Sequence, residues 1–276
     1  MKYLELLESL FVNKKNFKIL VAIYIVVIIG VLVWIWFPKN TFELAKYESY
    51  DEEQKCQEMV SYYANVLNDI KIYCSAKDYE NYISQDYLYR NNISIDEATN
   101  MLKSTDQSFT VKNYKLYKYG NNFIYSISLP RGSSKLDVNI IEKNYPYNFY
   151  ITYGTFIEYS EIPKYGSLDG ASIRIISTYS DLNYIEYELE ITNRQENDLT
   201  VDLSNADYVY LELSDGNSMR LNLVKSTQGK LKINSNDTEK IKLVFDIGIS
   251  NQDKISSLKL TNILNGTSRI SAKITL

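Results

Sequence analysis

A long apolar run at residues 17–37 constrains this chain more than any other feature of its sequence. From Phe17 to Phe37 the run contains a single charged residue, Lys18. As a helix rising about 1.5 Å per residue, it would be roughly 30 Å long, which matches the hydrocarbon core of a bilayer. The sequence therefore predicts one transmembrane helix over residues 17–37, because no second run approaches this apolar length.

The residues flanking this run predict its orientation. Basic residues favour the cytoplasmic side and aromatic residues favour the membrane interface. The predicted membrane-interface residues are Lys14, Lys15, Lys18, Trp34, Trp36 and Phe37. We therefore expect a single-pass protein of a Gram-positive cell membrane, with a cytoplasmic N-terminus and residues 38–276 outside the cytoplasm. The alternative is a cleaved signal peptide, whose apolar region is usually about 7–15 residues long and is followed by small residues.

Residues 1–16 read as a short cytoplasmic amphipathic segment. Apolar side chains recur at helical spacing and form a candidate docking face, which consists of Leu4, Leu7, Leu10 and Phe11. Two interpretations remain open: a helix that lies on the inner leaflet, and a helix that docks a cytoplasmic or membrane partner.

Composition excludes several classes of function. The chain contains no histidine, which excludes Ser-His-Asp and Cys-His mechanisms and zinc sites built on histidine. It has no phosphate-binding glycine loop, and its formal net charge of −4 does not favour binding to nucleic acid. Two carboxylates could still converge for glycoside hydrolysis. We therefore predict no catalytic, cofactor-binding or metal-ligating residues, no cofactor and no nucleic acid partner.

A stalk at residues 38–50 precedes an amphipathic helical pattern. Its apolar face includes Met59, Tyr63 and Leu67, and begins and ends near two cysteines, Cys56 and Cys74. Along one helix these cysteines would lie about 27 Å apart, whereas a disulfide needs Cα atoms within roughly 7 Å. We expect unpaired core cysteines; the alternatives are a broken helix or a bridge between protomers.

Two further helices and four strands follow in residues 51–160. A short helix is expected near residues 76–84, and a capping box at Ser94 and Glu97 predicts the next one. Alternating patterns then predict strands at residues 109–118, 122–129, 135–143 and 147–159.

This order of elements, with the pattern A-x(2)-Y-x(2)-Y-x(4)-Y-L from Ala76 to Leu88, resembles a nuclear transport factor 2-like domain. The likeness is to the bitopic scaffold subunits of type IV secretion and conjugation machines, and it covers about residues 45–160. It implies a cone of three helices on a curved four-stranded antiparallel sheet. It also implies assembly with neighbouring envelope proteins, and the family has no catalytic residues to transfer.

Residues 161–170 read as a linker, and residues 171–276 as an all-β domain. In the strand pattern from Ile185 to Asn193, apolar and acidic side chains alternate. The motifs Y-x-L-x-I-T-N at Tyr187–Asn193 and L-S-D-G at Leu213–Gly216, with I-K-L-V-F-D-I at Ile241–Ile247, resemble an immunoglobulin-like domain of Gram-positive lipoproteins and surface proteins. The predicted fold class is thus α+β: a transmembrane helix, an α+β cone and an immunoglobulin-like β-sandwich.

Tyrosine is abundant, with 26 residues in the chain. A candidate aromatic binding face is formed by Tyr145, Tyr147, Tyr150 and Tyr153. The alternative is that these residues simply fill strands, because tyrosine favours half-buried strand positions.

These observations predict a non-enzymatic, bitopic envelope scaffold or adaptor with two exterior interaction domains, which could serve a conjugation or secretion assembly. Its partners would be the bilayer and other envelope or membrane proteins, with a homo-oligomer left open. The alternative is an extracytoplasmic module that binds a small molecule, glycan or signal inside the α+β cone.

Overall fold

A computed structural model describes residues 52–106, 114–119, 122–143 and 145–276. Of these residues, 51% lie in strands and 21% in helices. Lys55–Leu276 forms one compact unit. The predicted α+β fold class is therefore wrong, because the described chain is mostly β and its larger sheet is nearly closed like a barrel.

The described helices are short except for the first. They are α1 (Glu52–Tyr73), α2 (Ala76–Tyr79), α3 (Gln85–Asn91), α4 (Ile95–Lys103) and α5 (Ile249–Gln252), with a 3-10 turn at Ala206–Tyr208. The predicted capping box of α4 is confirmed: the main-chain N–H of Glu97 donates to Ser94 Oγ across 3.2 Å, and the N–H of Ser94 donates to Glu97 Oε2 across 2.7 Å. No sequence signal predicted α3, which Ser84 caps.

A four-stranded antiparallel sheet follows α4, with strand order β1-β2-β3-β4. Its strands are β1 (Tyr114–Tyr119), β2 (Asn122–Arg131), β3 (Ser134–Lys143) and β4 (Tyr145–Tyr153). Buried side chains of α1, including Met59, Tyr63 and Leu67, belong to the core of this part of the chain. The predicted apolar face of α1 is thus confirmed for these three residues.

The fourth predicted strand, 147–159, is interrupted at Gly154. This glycine has φ +69°, a conformation that glycine adopts without steric cost, and its N–H donates to Asp137 O across 2.9 Å. The chain turns there, and β5 (Phe156–Ser160) pairs with the second sheet instead of continuing the first. The four-stranded sheet therefore ends at Tyr153, and residues 156–160 belong to the second sheet.

The second sheet contains eleven strands. After β5 these are β6 (Lys164–Leu168), β7 (Ala171–Asp181), β8 (Ile185–Asn193), β9 (Leu199–Leu203), β10 (Val209–Leu213), β11 (Ser218–Arg220), β12 (Gly229–Ile233), β13 (Thr238–Phe245), β14 (Ile255–Asn265) and β15 (Ser268–Thr275). Their main order is β11-β10-β14-β15-β6-β7-β8-β13; β12 pairs with β9, β9 with β14 and β5 with β7.

Main-chain hydrogen bonds nearly close this sheet. Asn222, just after β11, donates to Val244 O of β13 across 2.8 Å, and Thr227 donates to Lys242 O across 2.8 Å. The core inside is apolar and includes Leu189, which is fully buried. A separate immunoglobulin-like sandwich is therefore not the architecture observed, because β5 and the segment after β11 extend and nearly close the sheet.

The segment predicted as a linker, residues 161–170, contains strand β6. It pairs with β7 on one side and β15 on the other. A small apolar cluster also joins the two sheets, with Ile124 and Ile141 from the first sheet and Ile157, Leu182 and Ile249 from the elements beyond it. Burial of these five side chains keeps both sheets within one compact unit.

No helix in the described part of the chain is long and apolar enough to cross a bilayer. The predicted span 17–37 lies outside the described residues. The predicted single-pass membrane localisation, with its transmembrane and signal-anchor terms, is not supported by the helices that the structure describes.

Candidate functional site

A cavity of about 260 Å³ lies between β5, β6 and β7, beside the seam of the two sheets. It forms at the point along β7 where the neighbouring strand changes. β5 pairs with residues 178–181 of β7, and β6 pairs with residues 171–175. A register shift between Ile175 and Ser177 of β7 accompanies this exchange. The walls come from distant parts of the sequence.

The lining combines polar and apolar groups. Its polar residues are Tyr119, Glu158, Ser160, Lys164, Thr178, Ser180 and Gln252. Its apolar and aromatic residues are Ile162, Ile185, Tyr187, Ile255 and Leu276. An apolar wall with a few convergent polar groups is typical of small-molecule sites, and the volume is slightly below the roughly 300–1,000 Å³ of drug-sized pockets.

Strand register places four polar side chains of this site in two facing pairs. Glu158 lies opposite Ser180, and Ser160 lies opposite Thr178. Residues two apart on a strand point to the same face, so both pairs contribute to one wall. The sequence pattern of β5 contains this alternation but does not indicate which strand β5 meets.

Gln252 is held rigidly at the cavity by its side-chain amide. Nε2 donates to the carbonyl oxygens of Asp181, Tyr184 and Ile247, across 2.9, 3.0 and 3.1 Å. The side chain is only 6% exposed, and its Oε1 has no hydrogen-bond partner among the described residues. Three carbonyls around Nε2 fix the amide orientation, because the oxygen could not take that place. A buried acceptor without a donor is costly, and it needs an explanation.

Tyr119 connects two polar groups of the cavity. Its hydroxyl donates to Glu158 Oε2 across 3.3 Å, and Ser180 also interacts with the phenol and partly offsets the rise in its pKa. Burial, together with the nearby Glu158 carboxylate, raises the pKa of Tyr119 above its ordinary value. Burial also raises the pKa of Tyr187. Both phenols therefore stay neutral at physiological pH and act as hydrogen-bonding groups.

Two opposite charges of the cavity have no ion-pair partner in the part of the chain that the structure describes. Among the described residues, no cationic group lies within 4.0 Å of the Glu158 carboxylate, and no carboxylate lies within that distance of the Lys164 ammonium. Glu158 is half-buried and Lys164 is exposed. A half-buried charge gains stability from an opposite charge, so an entering ligand could supply the missing partner.

Of the predicted aromatic binding face, only the side chains of Tyr150 and Tyr153 are described. Tyr153 is buried, with its hydroxyl 2.5 Å from that of Tyr79 and donating to Ala98 O across 2.9 Å. Tyr150 packs at the seam, and Lys143 Nζ lies 4.5 Å from its ring centroid. The strand places Tyr145 and Tyr147 on β4, and their side chains lie outside the described ones. Tyr153 is thus a core residue.

Other predicted site residues lie outside the described residues. They are the membrane-interface residues Lys14, Lys15, Lys18, Trp34, Trp36 and Phe37, and the docking face Leu4, Leu7, Leu10 and Phe11. Cys74 is free, and the side chain of Cys56 is not among those described. In the described ranges, no group of three or more cysteine, aspartate or glutamate side chains could hold a metal ion.

Sequence reasoning missed the residues that form the cavity. Tyr119 and Glu158 fall in or beside predicted strands, but no motif distinguishes them from other strand residues. Gln252 lies in a polar turn before β14 and resembles any exposed glutamine. Only the tertiary contacts bring these three residues together.

No protein-family model matches the chain, and no curated protein matches it. Two solved structures show a weak likeness. The yjhA protein from Bacillus subtilis is 13% identical, with 52% of this chain and 81% of that chain covered and a TM-score of 0.25. An uncharacterized β-sandwich protein from Clostridium difficile 630 is 12% identical, with 59% and 97% covered and a TM-score of 0.18. Neither likeness is close enough to transfer a property to this chain.

Proposed function

We propose that this protein is a non-enzymatic binding module for a small polar molecule, with the cavity beside β7 as its site. The observation that carries the proposal is the cavity itself: about 260 Å³ is lined by apolar side chains and by the Glu158 carboxylate, which has no ion-pair partner among the described residues. The polar groups of the cavity, Tyr119, Glu158 and Ser180, add the convergent contacts that fix a ligand's orientation.

The chemistry of the lining favours binding over catalysis. The cavity offers a carboxylate, an ammonium, hydroxyls and an amide, but no thiol, and the chain has no histidine. Tyr119 and Tyr187 both have raised pKa values, which makes them poor nucleophiles and poor bases near neutral pH. The site differs from the predicted one, since it lies beside the larger sheet and not within the cone.

The test is ligand binding to a variant whose cavity is filled. Thr178→Phe places a ring into the cavity from a partly exposed strand position. Ser172→Phe is the matched control, because Ser172 is a partly exposed residue of the same strand outside the cavity. Isothermal titration calorimetry would be run with a panel of small amines, carboxylates, amino acids and neutral sugars on the full chain.

We expect at least one panel member to bind the wild type and the control and to lose binding to Thr178→Phe. Circular dichroism would check that both variants fold. Equal binding by all three proteins would place the ligand elsewhere and refute the proposed site, and so would the absence of binding by every panel member.

A second candidate function, an adaptor that binds another protein, is favoured by an aromatic and cationic row on the surface. Arg90 lies over the rings of Tyr159 and Tyr179, at 5.3 and 5.5 Å from their centroids. Tyr89, at 74% exposure, and Tyr184 extend the row. Exposed tyrosine and arginine are enriched in protein interfaces.

If the protein is an adaptor, substitution of Tyr89 should abolish binding of a partner protein. A pull-down with Tyr89→Ser would lose a protein that the wild type retains, whereas Tyr165→Ser, at a tyrosine that is 66% exposed outside the row, would retain it. Retention of every partner by both variants would argue against this candidate.

A further inference from the structure

The cavity combines two charges of opposite sign, on Glu158 and Lys164, that have no ion-pair partner among the described residues, and this combination restricts the ligand class. We propose that the site binds a small zwitterion, which carries one ammonium and one carboxylate group and has the size of an α-amino acid. This inference rests on the proposed function. It goes beyond that function because it assigns a charge pattern to the ligand and an end of the cavity to each charge.

The ammonium end is defined by Glu158. Glu158 accepts one hydrogen bond, from Tyr119 to Oε2, and is not engaged by any other described side chain in a hydrogen bond or ion pair. An ammonium group has three donors and no acceptor, so it can satisfy the acceptor positions that remain on this carboxylate. A hydrogen bond between two charged groups is also about twice as strong as one between neutral groups.

The carboxylate end is defined by Lys164 with Ser160 and Thr178. Lys164 has no described carboxylate within ion-pair distance. The Ser160 oxygen accepts from the N–H of Ile162 across 3.3 Å, which leaves its hydroxyl hydrogen available as a donor. Ser160 faces Thr178 in the register, so two hydroxyls stand together. A carboxylate can accept from both hydroxyls and from the lysine.

The spacing of the two ends suits a small ligand. Glu158 and Ser160 are two residues apart on β5, so their Cα atoms lie about 6.7 Å apart along an extended strand. Side chains that reach inward from both positions leave a gap that a molecule with adjacent ammonium and carboxylate groups can bridge. The apolar residues Ile185 and Ile255 remain for the ligand's aliphatic part.

The experiment compares three forms of one ligand, alanine, that differ in which charged groups they carry. L-Alanine supplies both charges, L-alaninamide only the ammonium, and N-acetyl-L-alanine only the carboxylate; the other common α-amino acids test the side chain. We expect calorimetry with the full chain to show binding of at least one amino acid. We also expect at least about tenfold weaker binding of its amide and of its N-acetyl derivative, since each loses one set of charge-assisted hydrogen bonds.

Substitutions at Glu158 and Lys164 test which end of the cavity binds each charged group of the ligand. Glu158→Gln and Lys164→Met should each weaken amino acid binding about tenfold or more, and Glu158→Gln should weaken the amide more than the N-acetyl derivative. Glu196→Gln and Lys240→Met remove the same charges at exposed positions outside the cavity and should leave binding unchanged.

The outcomes separate this inference from the proposed function. If a neutral or singly charged compound binds best and Thr178→Phe abolishes its binding, the binding module stands and the zwitterion class is wrong. If an amino acid binds equally well to Thr178→Phe, or if nothing binds, both are wrong.

Discussion

The side-chain amide of Gln252 donates to the main-chain oxygen of Asp181 across 2.9 Å, and so joins α5 to the turn between β7 and β8. The same amide lies within hydrogen-bond distance of Tyr184 and Ile247 carbonyls. A residue that lines the cavity is therefore also a structural clamp. Stability and ligand binding should both depend on it, and the two effects can be measured separately.

Replacement of this clamp should destabilise the protein. Gln252→Leu keeps a similar size but removes the donor shared by three carbonyls, and we expect a loss of about 2 kcal/mol in the free energy of unfolding. Gln252→Glu should cost more at neutral pH, because a carboxylate would face the same carbonyl oxygens. Urea denaturation measures both.

The matched control is Gln228→Leu. Gln228 donates one exposed hydrogen bond, to Leu223 O across 2.7 Å, and we expect a change below about 0.5 kcal/mol. A Gln252→Leu variant as stable as this control would show that the clamp is not structural.

Arg90 should stabilise the contact between α3 and the larger sheet through its planar shape. Its guanidinium lies over Tyr159 and Tyr179 and its Nη2 is 3.2 Å from Glu186 Oε1. Arg90→Lys keeps the charge but loses stacking on both rings, and we expect it to cost about 1 kcal/mol of unfolding free energy. Chemical denaturation would measure the difference.

Arg220→Lys provides the comparison for that measurement. Arg220 is 70% exposed and, among the described residues, pairs only with the exposed Asp207 at 2.7 Å, so its replacement should cost less than about 0.5 kcal/mol. Equal costs at the two positions would contradict a role for the stacking.

Glu212 should make stability depend on acid pH. Hydrogen bonds from Lys259 and Ser257 lower its pKa from 4.5 to about 2. A carboxyl whose pKa is lower in the folded state contributes its stabilisation fully above the unfolded value. This contribution is therefore present above about pH 4.5 and is lost as the pH falls from there to about 2.

Thermal unfolding over that pH window tests the linkage. Glu212→Gln should be less stable than the wild type at neutral pH, and the difference should shrink steadily as the pH falls toward 2. Glu196→Gln, at an exposed position, corrects for the loss of one negative charge. A difference between wild type and Glu212→Gln that stays constant over the window would contradict the assigned pKa.

Local patterns in the sequence predict local structure well in this protein. The capping box at Ser94 and the alternation from Ile185 to Ile191 both appear as predicted, because they depend on neighbouring residues only. The division into two domains depends instead on where β5 pairs. Nothing within Phe156–Ser160 determines whether it continues the first sheet or joins β7, so the architecture and the cavity could not be predicted.

The predicted linker, residues 161–170, is a second case in which local sequence patterns did not predict tertiary pairing, and Gly166 shows why. Proline and glycine in residues 161–170 suggest a connection between domains, but Gly166 lies between β7 and β15 in the larger sheet. A Cβ there would lie 2.6 Å from Ile274 Cγ1, 2.8 Å from Lys273 O and 2.9 Å from Ile173 Cγ2. The glycine is therefore required by close packing and not by flexibility.

Gly166→Ala should accordingly destabilise the protein by about 2 kcal/mol or more, because the backbone oxygen of Lys273 cannot move without disturbing the strand pairing. Gly248→Ala is the matched control: Gly248 has φ −64°, and the nearest atom to its added Cβ would be Leu182 O at 3.9 Å. We expect that control to change the free energy of unfolding by about 1 kcal/mol at most. Urea denaturation of both variants decides the question, since a flexible linker would tolerate the two alanines equally.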